Sequence, residues 1–352
     1  MRAAFVALVC LGFTFCAKVP TEGESGEKIS GNLSTPVPQT SFERPPFIAI
    51  VASDSYKNRR FALIGAHSKP EVAIPEANWL DDVWEYSSSY YGVSSGAVLG
   101  DLNLGCDYAS SEQVASLDLR TSTKFRWLIA DDADTNIADS KCAYDRIIVT
   151  GDLFPSYMVG TVGADNIKYS DHYPVSTEVG GIRMSAFNAK VYGEAKSSDE
   201  LAITEIANVV CSSEITLVQE IVSESSAPVE ILLSKVNSIC GPDYKVELSE
   251  PVGTTSYKER FAYFYNGSKI IIETAQLFPQ AEDNTATEND DELNEKENTP
   301  PQIPTEPQDT SKPGVKVIPP ECGSSPYKTP KGYCYATKDG VKKRVADSCC
   351  AE

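Results

Sequence analysis

Only two histidines occur in the 352-residue chain, His67 and His172, and each lies in or just after a strand-like run. Imidazole changes charge near neutral pH, so a pair can serve as proton acceptor and donor. Carboxylates terminate several neighbouring runs: Asp101, Asp145, Asp171 and Glu220. Residues at strand ends on one rim of a sheet are well placed to gather into a site. Two imidazoles oriented by carboxylates, with a further carboxylate free for a divalent metal, would suit phosphodiester cleavage: one histidine activates water, the other protonates or hydrogen-bonds the phosphate. A lone histidine at a strand end is more often structural, so the set acquires meaning only if its members meet in space.

The elements that must bring them together read as follows. Phe47–Ala52 and Arg60–Ala66 are strand-like runs separated by the turn-forming Ser53–Asn58, and the second delivers His67 at its end. Helical spacing of Ala77, Leu80, Val83 and Trp84 predicts a helix from about Pro75 to Tyr90. Gly96–Asn103 is an apolar strand on which Asp101 and Asn103, two residues apart, would share a face. Strands are expected at 125–130 and 146–150, the latter just after Asp145. Two runs flank Gly180-Gly181, a pair that supplies positive φ for a hairpin turn, with Asp171 and His172 on one arm and Asn188 on the other. Helices follow at 198–210, with Leu201, Ile203 and Ile206 at helical spacing, and at 227–239. Strands are expected at 215–220 and 244–249, and a second hairpin from 261–265 and 269–273. Hairpins mixed with helix-linked strands predict a two-sheet α/β sandwich rather than a doubly wound sheet.

Residues 1–17 read as a secretory signal, an apolar run too short to span a bilayer; the expectation is a secreted, soluble protein with no membrane contact. Residues 18–40 are a flexible lead-in. Eight cysteines remain after the signal, none with zinc spacing, which in an oxidising compartment implies disulfides. Asn32 and Asn266 head potential glycosylation triplets. Eight acidic residues and one lysine occupy 281–300, and 300–320 hold seven prolines, a charged and then semi-rigid linker. Residues 321–352, with four cysteines, form a small disulfide module. The formal charge of −19 excludes a protein that coats nucleic acid by bulk electrostatics, but not an enzyme with a locally prepared phosphate site.

Several motifs carry a more specific signal. Gly100-Asp-Leu-Asn103, Cys106-Asp-Tyr108, Cys142-Ala-Tyr-Asp-Arg146 and Ser170-Asp-His-Tyr-Pro174 resemble the second half of the deoxyribonuclease I family, within the endonuclease/exonuclease/phosphatase superfamily. Ala186-Phe-Asn188, Leu217-Val-Gln-Glu220 and Ser249–Arg260 (Ser-Glu-Pro-Val-Gly-Thr-Thr-Ser-Tyr-Lys-Glu-Arg) resemble its first half. The likeness covers about residues 41–280, with 41–179 matching the family's C-terminal half and 182–280 its N-terminal half. The halves are thus in reversed order, joined at Gly180-Gly181, as in a circular permutation. The family's termini lie on neighbouring strands, so a two-glycine turn can close them.

The resemblance implies a four-layer α/β/β/α sandwich, hydrolysis of double-stranded DNA, and a need for Mg²⁺ (or Mn²⁺) with Ca²⁺ as a structural ion. Carried over residue by residue, Glu220 is the metal carboxylate, assisted by Asn188. His67 pairs with Glu259 and His172 with Asp145. Asp101 and Asn103 hold phosphate and metal, and Asp171 completes the site. Cys106 and Cys142 match the structural disulfide, Tyr257 the residue packing on sugar and base, and Arg44 a phosphate contact. Asp134 could serve one calcium site, while the other coincides with the new termini and is expected to be lost. Departures exist. Val222 stands where the family has a groove-contacting arginine, the stretch from Phe154 to Ser170 is about a dozen residues short, and Cys211 and Cys240 are unmatched and are candidates for an extra bridge between helix ends. The alternative reading is a calcium-binding matrix or mineral-associated protein acting through the acidic linker and cysteine-rich tail. A monomer is expected, or a swapped dimer if the Gly-Gly turn opens.

Overall fold

The computed structural model describes residues 35–53, 59–151, 160–163 and 167–280, and beyond them the backbone of strands Ser324–Lys328, Cys334–Lys338 and Val341–Arg344. The signal segment, Asn32, the acidic and proline-rich linker, the stretch 152–159 and most of 321–352 lie outside the described residues. The chain divides into two units, Met1–Ala286 and Thr287–Glu352. In the second unit the three strands pair as an antiparallel sheet.

The first unit opens with β1 (Phe47–Ser53) and β2 (Arg59–Gly65), followed by α1 (Ala73–Asn78) and α2 (Leu80–Tyr91), which lead to β3 (Gly96–Asp101). Short helices α3 (Ser111–Ala115) and α4 (Asp118–Thr121) precede β4 (Phe125–Trp127) and β5 (Asp145–Thr150). After β6 (Thr161–Val162), β7 (Val175–Val179) and β8 (Ile182–Tyr192) come α5 (Glu194–Ser197), α6 (Glu200–Cys211), β9 (Ile215–Ile221), α7 (Ala227–Cys240), β10 (Tyr244–Leu248), β11 (Arg260–Asn266) and β12 (Ile271–Leu277). Two six-stranded sheets result, in the orders β12-β1-β2-β3-β5-β4 and β10-β11-β9-β8-β7-β6.

The second order read backwards repeats the logic of the first. A hairpin (β1–β2, or β7–β8) leads through helices to a parallel neighbour (β3, or β9), which then pairs antiparallel with β5 or β11. Because β2–β3 and β8–β9 are the parallel pairs, the helices of each crossover must cover the outer face of their own sheet. Three buried clusters follow from this: one between the sheets (Phe47, Leu63, Leu99, Met184, Leu217, Phe261), one under α1–α4 and one under α5–α7. The first unit is therefore the α/β/β/α sandwich expected. The sheets are also tied directly, since the Tyr263 hydroxyl donates to Phe47 O at 3.0 Å and the two rings stack at 5.4 Å.

Local chemistry sets the ends of elements. Gly92, at φ 64°, caps α2 and donates to Ser88 O, and the Asp199 side chain caps α6 by accepting from Leu201 N and Ala202 N. Gly180 and Gly181, at φ 57° and 84°, close the β7–β8 hairpin as the sequence predicts. Ala77, Leu80, Val83 and Trp84 are buried together on one face of α1 and α2.

Four sequence expectations need correction. The predicted hairpin 261–265/269–273 does not form: β11 pairs with β9 and β10 in one sheet, and β12 crosses to pair with β1 in the other. With both its edges occupied, β11 has no free side to offer. The strand from Gly96 stops at Asp101, and Asn103 lies beyond it at φ 51°, so the two do not share a strand face. The β7–β8 ladder starts at Val175↔Ala186, leaving Asp171 and His172 in an irregular segment bridged to Asn136 rather than opposite Asn188 on a ladder. Leu201, counted on the inner face of α6, is 68% exposed, and its neighbour Ala202 is buried instead.

Among the described residues two disulfides form, Cys106–Cys142 and Cys211–Cys240. The second joins the C-terminal ends of α6 and α7 across 29 residues. The paired substitution Cys211→Ser/Cys240→Ser should lower stability by about 2–4 kcal/mol. Urea unfolding of both forms checks this, and an unchanged midpoint would show that the bridge constrains little.

Candidate active site

The ends of β2, β3, β8 and β9 meet on one rim of the sandwich. His67 leaves the end of β2, Asp101 ends β3, Asn188 lies in β8 and Glu220 near the end of β9. Asp145 begins β5, and Glu259 precedes β11 at a bridge formed with Val252. His67 and Asn188, Asp101 and Glu220, and Asp145 and Glu259 thus occupy matching places in the two half-repeats.

Each histidine uses Nδ1 on its own carboxylate, His67 on Glu259 Oε1 at 2.6 Å and His172 on Asp145 Oδ2 at 2.8 Å. Each then presents Nε2 to the same atom: both lie 3.6 Å from Asp101 Oδ2. Asn188 Nδ2 approaches that oxygen to 3.2 Å and also donates to Glu220 Oε1 at 2.9 Å. The second oxygen of Glu220 accepts from Val191 N at 3.0 Å. Burial alone would lower both imidazole pKa values. For His67 the charge and hydrogen bond of Glu259 more than offset this and raise it. For His172, Asp145 and Asp101 together push it up to about 10. Burial raises the Asp145 carboxyl against the opposing pull of the His172 charge and hydrogen bond.

The backbone around these groups is held in uncommon conformations. Glu220, Asn103, Lys190 and Val191 all adopt positive φ, from 46° to 57°. For a β-branched residue such as Val191 this costs about 1–2 kcal/mol. The turn is held by Lys196, whose ammonium donates to Tyr169 O, Ala189 O and Lys190 O, and by Lys190 N donating to Asn188 Oδ1. Such strain, retained where Glu220 is oriented, is typical of functional sites.

The remaining predicted residues fall as follows. Asn103 donates its backbone N–H to Asp101 Oδ1 and its amide to Ser68 O, bracing the site from beneath. Asp171 sits at the rim on Lys190 Nζ at 2.9 Å; burial would raise its carboxyl, but Lys190 and His172 hold it below the usual range. Arg44 lies 3.3 Å from Glu259 and donates to His67 O. Tyr257 stands at the loop edge, 48% exposed. Asp134 lies with Thr135 and Asn136 on the loop that reaches His172. Asn266 is half-buried, its Oδ1 taken by Ser268.

Other supports escaped the sequence reading. Gln219 joins the sheets, accepting from Asp101 N and donating to Ala66 O, next to His67. A buried glutamine in an otherwise apolar strand is a usable signal. Ser170 Oγ donates to Asn188 O and accepts from His172 N, so one hydroxyl spans the two arms. Thr135 Oγ1 accepts from Tyr144 N and Asp145 N, fixing the start of β5. Glu76, buried, accepts from Glu43 N and Lys69 N and so clamps the segments carrying Arg44 and His67. Nothing local in the sequence marks these last contacts.

Asp101, Asp145 and His172 present ligand atoms within 4.8 Å of one another. His172 Nδ1 is taken by Asp145, which leaves its Nε2 as the ring atom facing Asp101. Glu220 and Asp101, both approached by the Asn188 amide, offer hard oxygen donors of the kind a divalent cation takes. Asp134 Oδ1, buried without a hydrogen-bond partner, is an acceptor that a bound cation such as Ca²⁺ would satisfy.

The fold and rim define an α/β sandwich with a two-histidine, multi-carboxylate centre, and sequence comparison narrows the likeness. The chain is similar to Deoxyribonuclease-1 of Ovis aries, 39% identical over 148 residues that cover 38% of this chain and 57% of that protein. The Bos taurus protein is 38% identical over 148 residues, covering 38% and 52% respectively. Deoxyribonuclease-1-like 2 of Mus musculus is 37% identical over 116 residues, 33% of this chain and 42% of that one. The chain thus spans about half the length of the curated relatives it matches, and the resemblance read from the motifs is borne out. No protein-family profile matches the chain. Among solved structures, D. rerio TDP2 complexed with single strand DNA product aligns over 58% of this chain and 83% of that one at TM-score 0.34 and 8% identity. An endonuclease/exonuclease/phosphatase family protein from Leptotrichia buccalis aligns over 57% and 86% at TM-score 0.33 and 9% identity.

Proposed function

We propose that this chain is a secreted, divalent-metal-dependent endonuclease that hydrolyses phosphodiester bonds of double-stranded DNA. The observation that carries the reading is the convergence of two carboxylate-backed imidazoles, both with Nε2 at 3.6 Å from Asp101 Oδ2. In this reading His67, backed by Glu259, takes the proton of an attacking water. His172, held protonated by Asp145, gives its Nε2 proton to the leaving oxygen as the P–O bond breaks. Asp101 and Asn188 orient the two rings and the phosphate between them, and Arg44 supplies positive charge at the opposite edge. Glu220, with Asn188 and Asp171 nearby, would hold Mg²⁺ or Mn²⁺, which supplies Lewis-acid stabilisation of charge on the phosphate. Asp134 would hold Ca²⁺ in a structural role. The chain's similarity to Deoxyribonuclease-1 supports DNA as the substrate.

We further read the domain as circularly permuted. Contiguous similarity that stops near half of each relative is what a reversed order of halves would give. The tight Gly180-Gly181 turn between β7 and β8 supports a direct join and a monomer. Secretion is supported by the two disulfides.

Supercoiled plasmid incubated with the purified chain in Mg²⁺ and Ca²⁺ should be nicked to the open-circular form, and EDTA should abolish nicking. Plasmid left intact in the presence of both metals would sink the enzyme reading.

A further inference from the structure

A cavity of about 270 Å³ lies between α3 and the segments that flank β5. Its walls include Ala109, Val114, Arg120, Asp131, Lys141 and Arg146. We propose that this cavity binds a phosphate-class oxyanion, free or as a terminal phosphomonoester, held by Arg120, Lys141 and Arg146. Such a site is separate from the catalytic rim and independent of the nuclease reading.

Arg146 gives the first reason. Ile147 and Val149 join the core between the sheets and Ile148 the core under α1–α4. Arg146 therefore lies on the helix-covered face of β5, opposite its neighbour Asp145. Its side chain is 2% exposed. The Nη atoms donate to Leu104 O, Ile129 O, Ala130 O and Asp131 Oδ1, whereas Nε is buried without a hydrogen-bond partner. A buried charge needs a countercharge as well as hydrogen bonds. The carboxylate it meets, on Asp131, is 66% exposed and shared with Arg120, so water screens it. Burial lowers the Arg146 pKa to about 10, with Asp131 opposing that shift and Arg120 adding to it.

Convergence of charge gives the second. Arg120, its guanidinium 3.9 Å from the Trp127 ring centroid, and the exposed Lys141 share the wall with Arg146. Three cations thus meet one acid among the described residues of the wall, in a chain of net charge −19. An anion placed among them relieves their mutual repulsion. The volume falls below the roughly 300–1,000 Å³ of drug-sized sites, which suits a compact group. Guanidinium forks match the oxygens of phosphate, and a phosphate dianion balances more of this charge than one carboxylate.

An occupant would also brace the catalytic rim from behind. Ala143 lines the cavity two residues before Asp145, and Arg146 Nη2 holds Leu104 O one residue past Asn103.

The test titrates inorganic phosphate, and separately thymidine 5′-monophosphate, into the full chain in Mg²⁺ at constant ionic strength, followed by calorimetry and melting. Binding should appear, and the melting temperature should rise with ligand concentration. His172→Ala, which removes a cation of the rim, should leave the affinity unchanged. Lys141→Glu, at an exposed position, should weaken it roughly tenfold, and Val114→Phe, which fills the cavity, should abolish it. The tighter of the two probes identifies the source of the phosphate. Absence of binding by either probe, equal affinity in the unsubstituted and Lys141→Glu chains, or a loss confined to His172→Ala would overturn the proposal. Plasmid left intact by a chain that still binds phosphate in this way removes the enzyme reading and leaves the anion site.

Discussion

Replacing His172 by alanine should reduce plasmid nicking by a factor on the order of 10²–10⁴, the usual contribution of a positioned proton donor. The substitution removes the Nε2 group facing Asp101 and leaves Asp145, a fully buried carboxylate, without its ring partner. Some loss of stability accompanies this, on the order of 1–3 kcal/mol for an orphaned buried acceptor. His172→Asn serves as the companion, since it can keep a hydrogen bond to Asp145 but cannot carry a proton. Both proteins should melt cooperatively, and both should nick at the same low rate. Nicking by His172→Asn at the unsubstituted rate would remove this ring from the chemistry.

The second large effect is expected at a residue that carries no side chain. Gly100, in the residue before Asp101, has φ 135°, and a Cβ built there would lie 2.2 Å from Ala66 O and about 3 Å from the Gln219 amide. The closest obstacle is backbone, with no rotamer to yield, and it belongs to the residue next to His67. Gly100→Ala must therefore push β2 and β3 apart at the rim, with a stability loss of about 3 kcal/mol or more. Gly241→Ala makes the control: its φ is also positive, at 100°, but nothing lies within 4 Å of the added methyl. It should cost about 1 kcal/mol. Urea midpoints of the two proteins give the comparison. Equal, small losses in both would mean the β2–β3 approach is soft.

What the sequence made legible follows from its periodicities and its motifs. Alternation and helical spacing gave most elements, because one face of each is buried and the side chains must say so. The pairs His67–Glu259 and His172–Asp145 were legible through the family likeness, since partners 192 and 27 residues apart leave no local mark. The crossing of β12 to the other sheet was not legible. Both a hairpin and a crossing fit a pair of apolar runs with Asn-Gly-Ser between them, and only the occupied edges of β11 decide. Ser170 and Lys196 were missed for a related reason. Each stabilises through backbone carbonyls and amides, which every residue has and no sequence pattern distinguishes.

The domain's entry and exit lie side by side: Phe278 N donates to Pro46 O at 2.7 Å, the Gln280 amide reaches Phe42 O, and Phe47 opposes Leu277 in the β1–β12 ladder. Tension applied between the two ends would thus load that antiparallel ladder from its tip, one hydrogen bond after another, as a zipper is opened rather than as a lap joint is sheared. The domain should yield to pulling at low force, with β12 peeling first. The rim that carries His67, Asp101 and Glu220 belongs to strands further in, and it would outlast that first step.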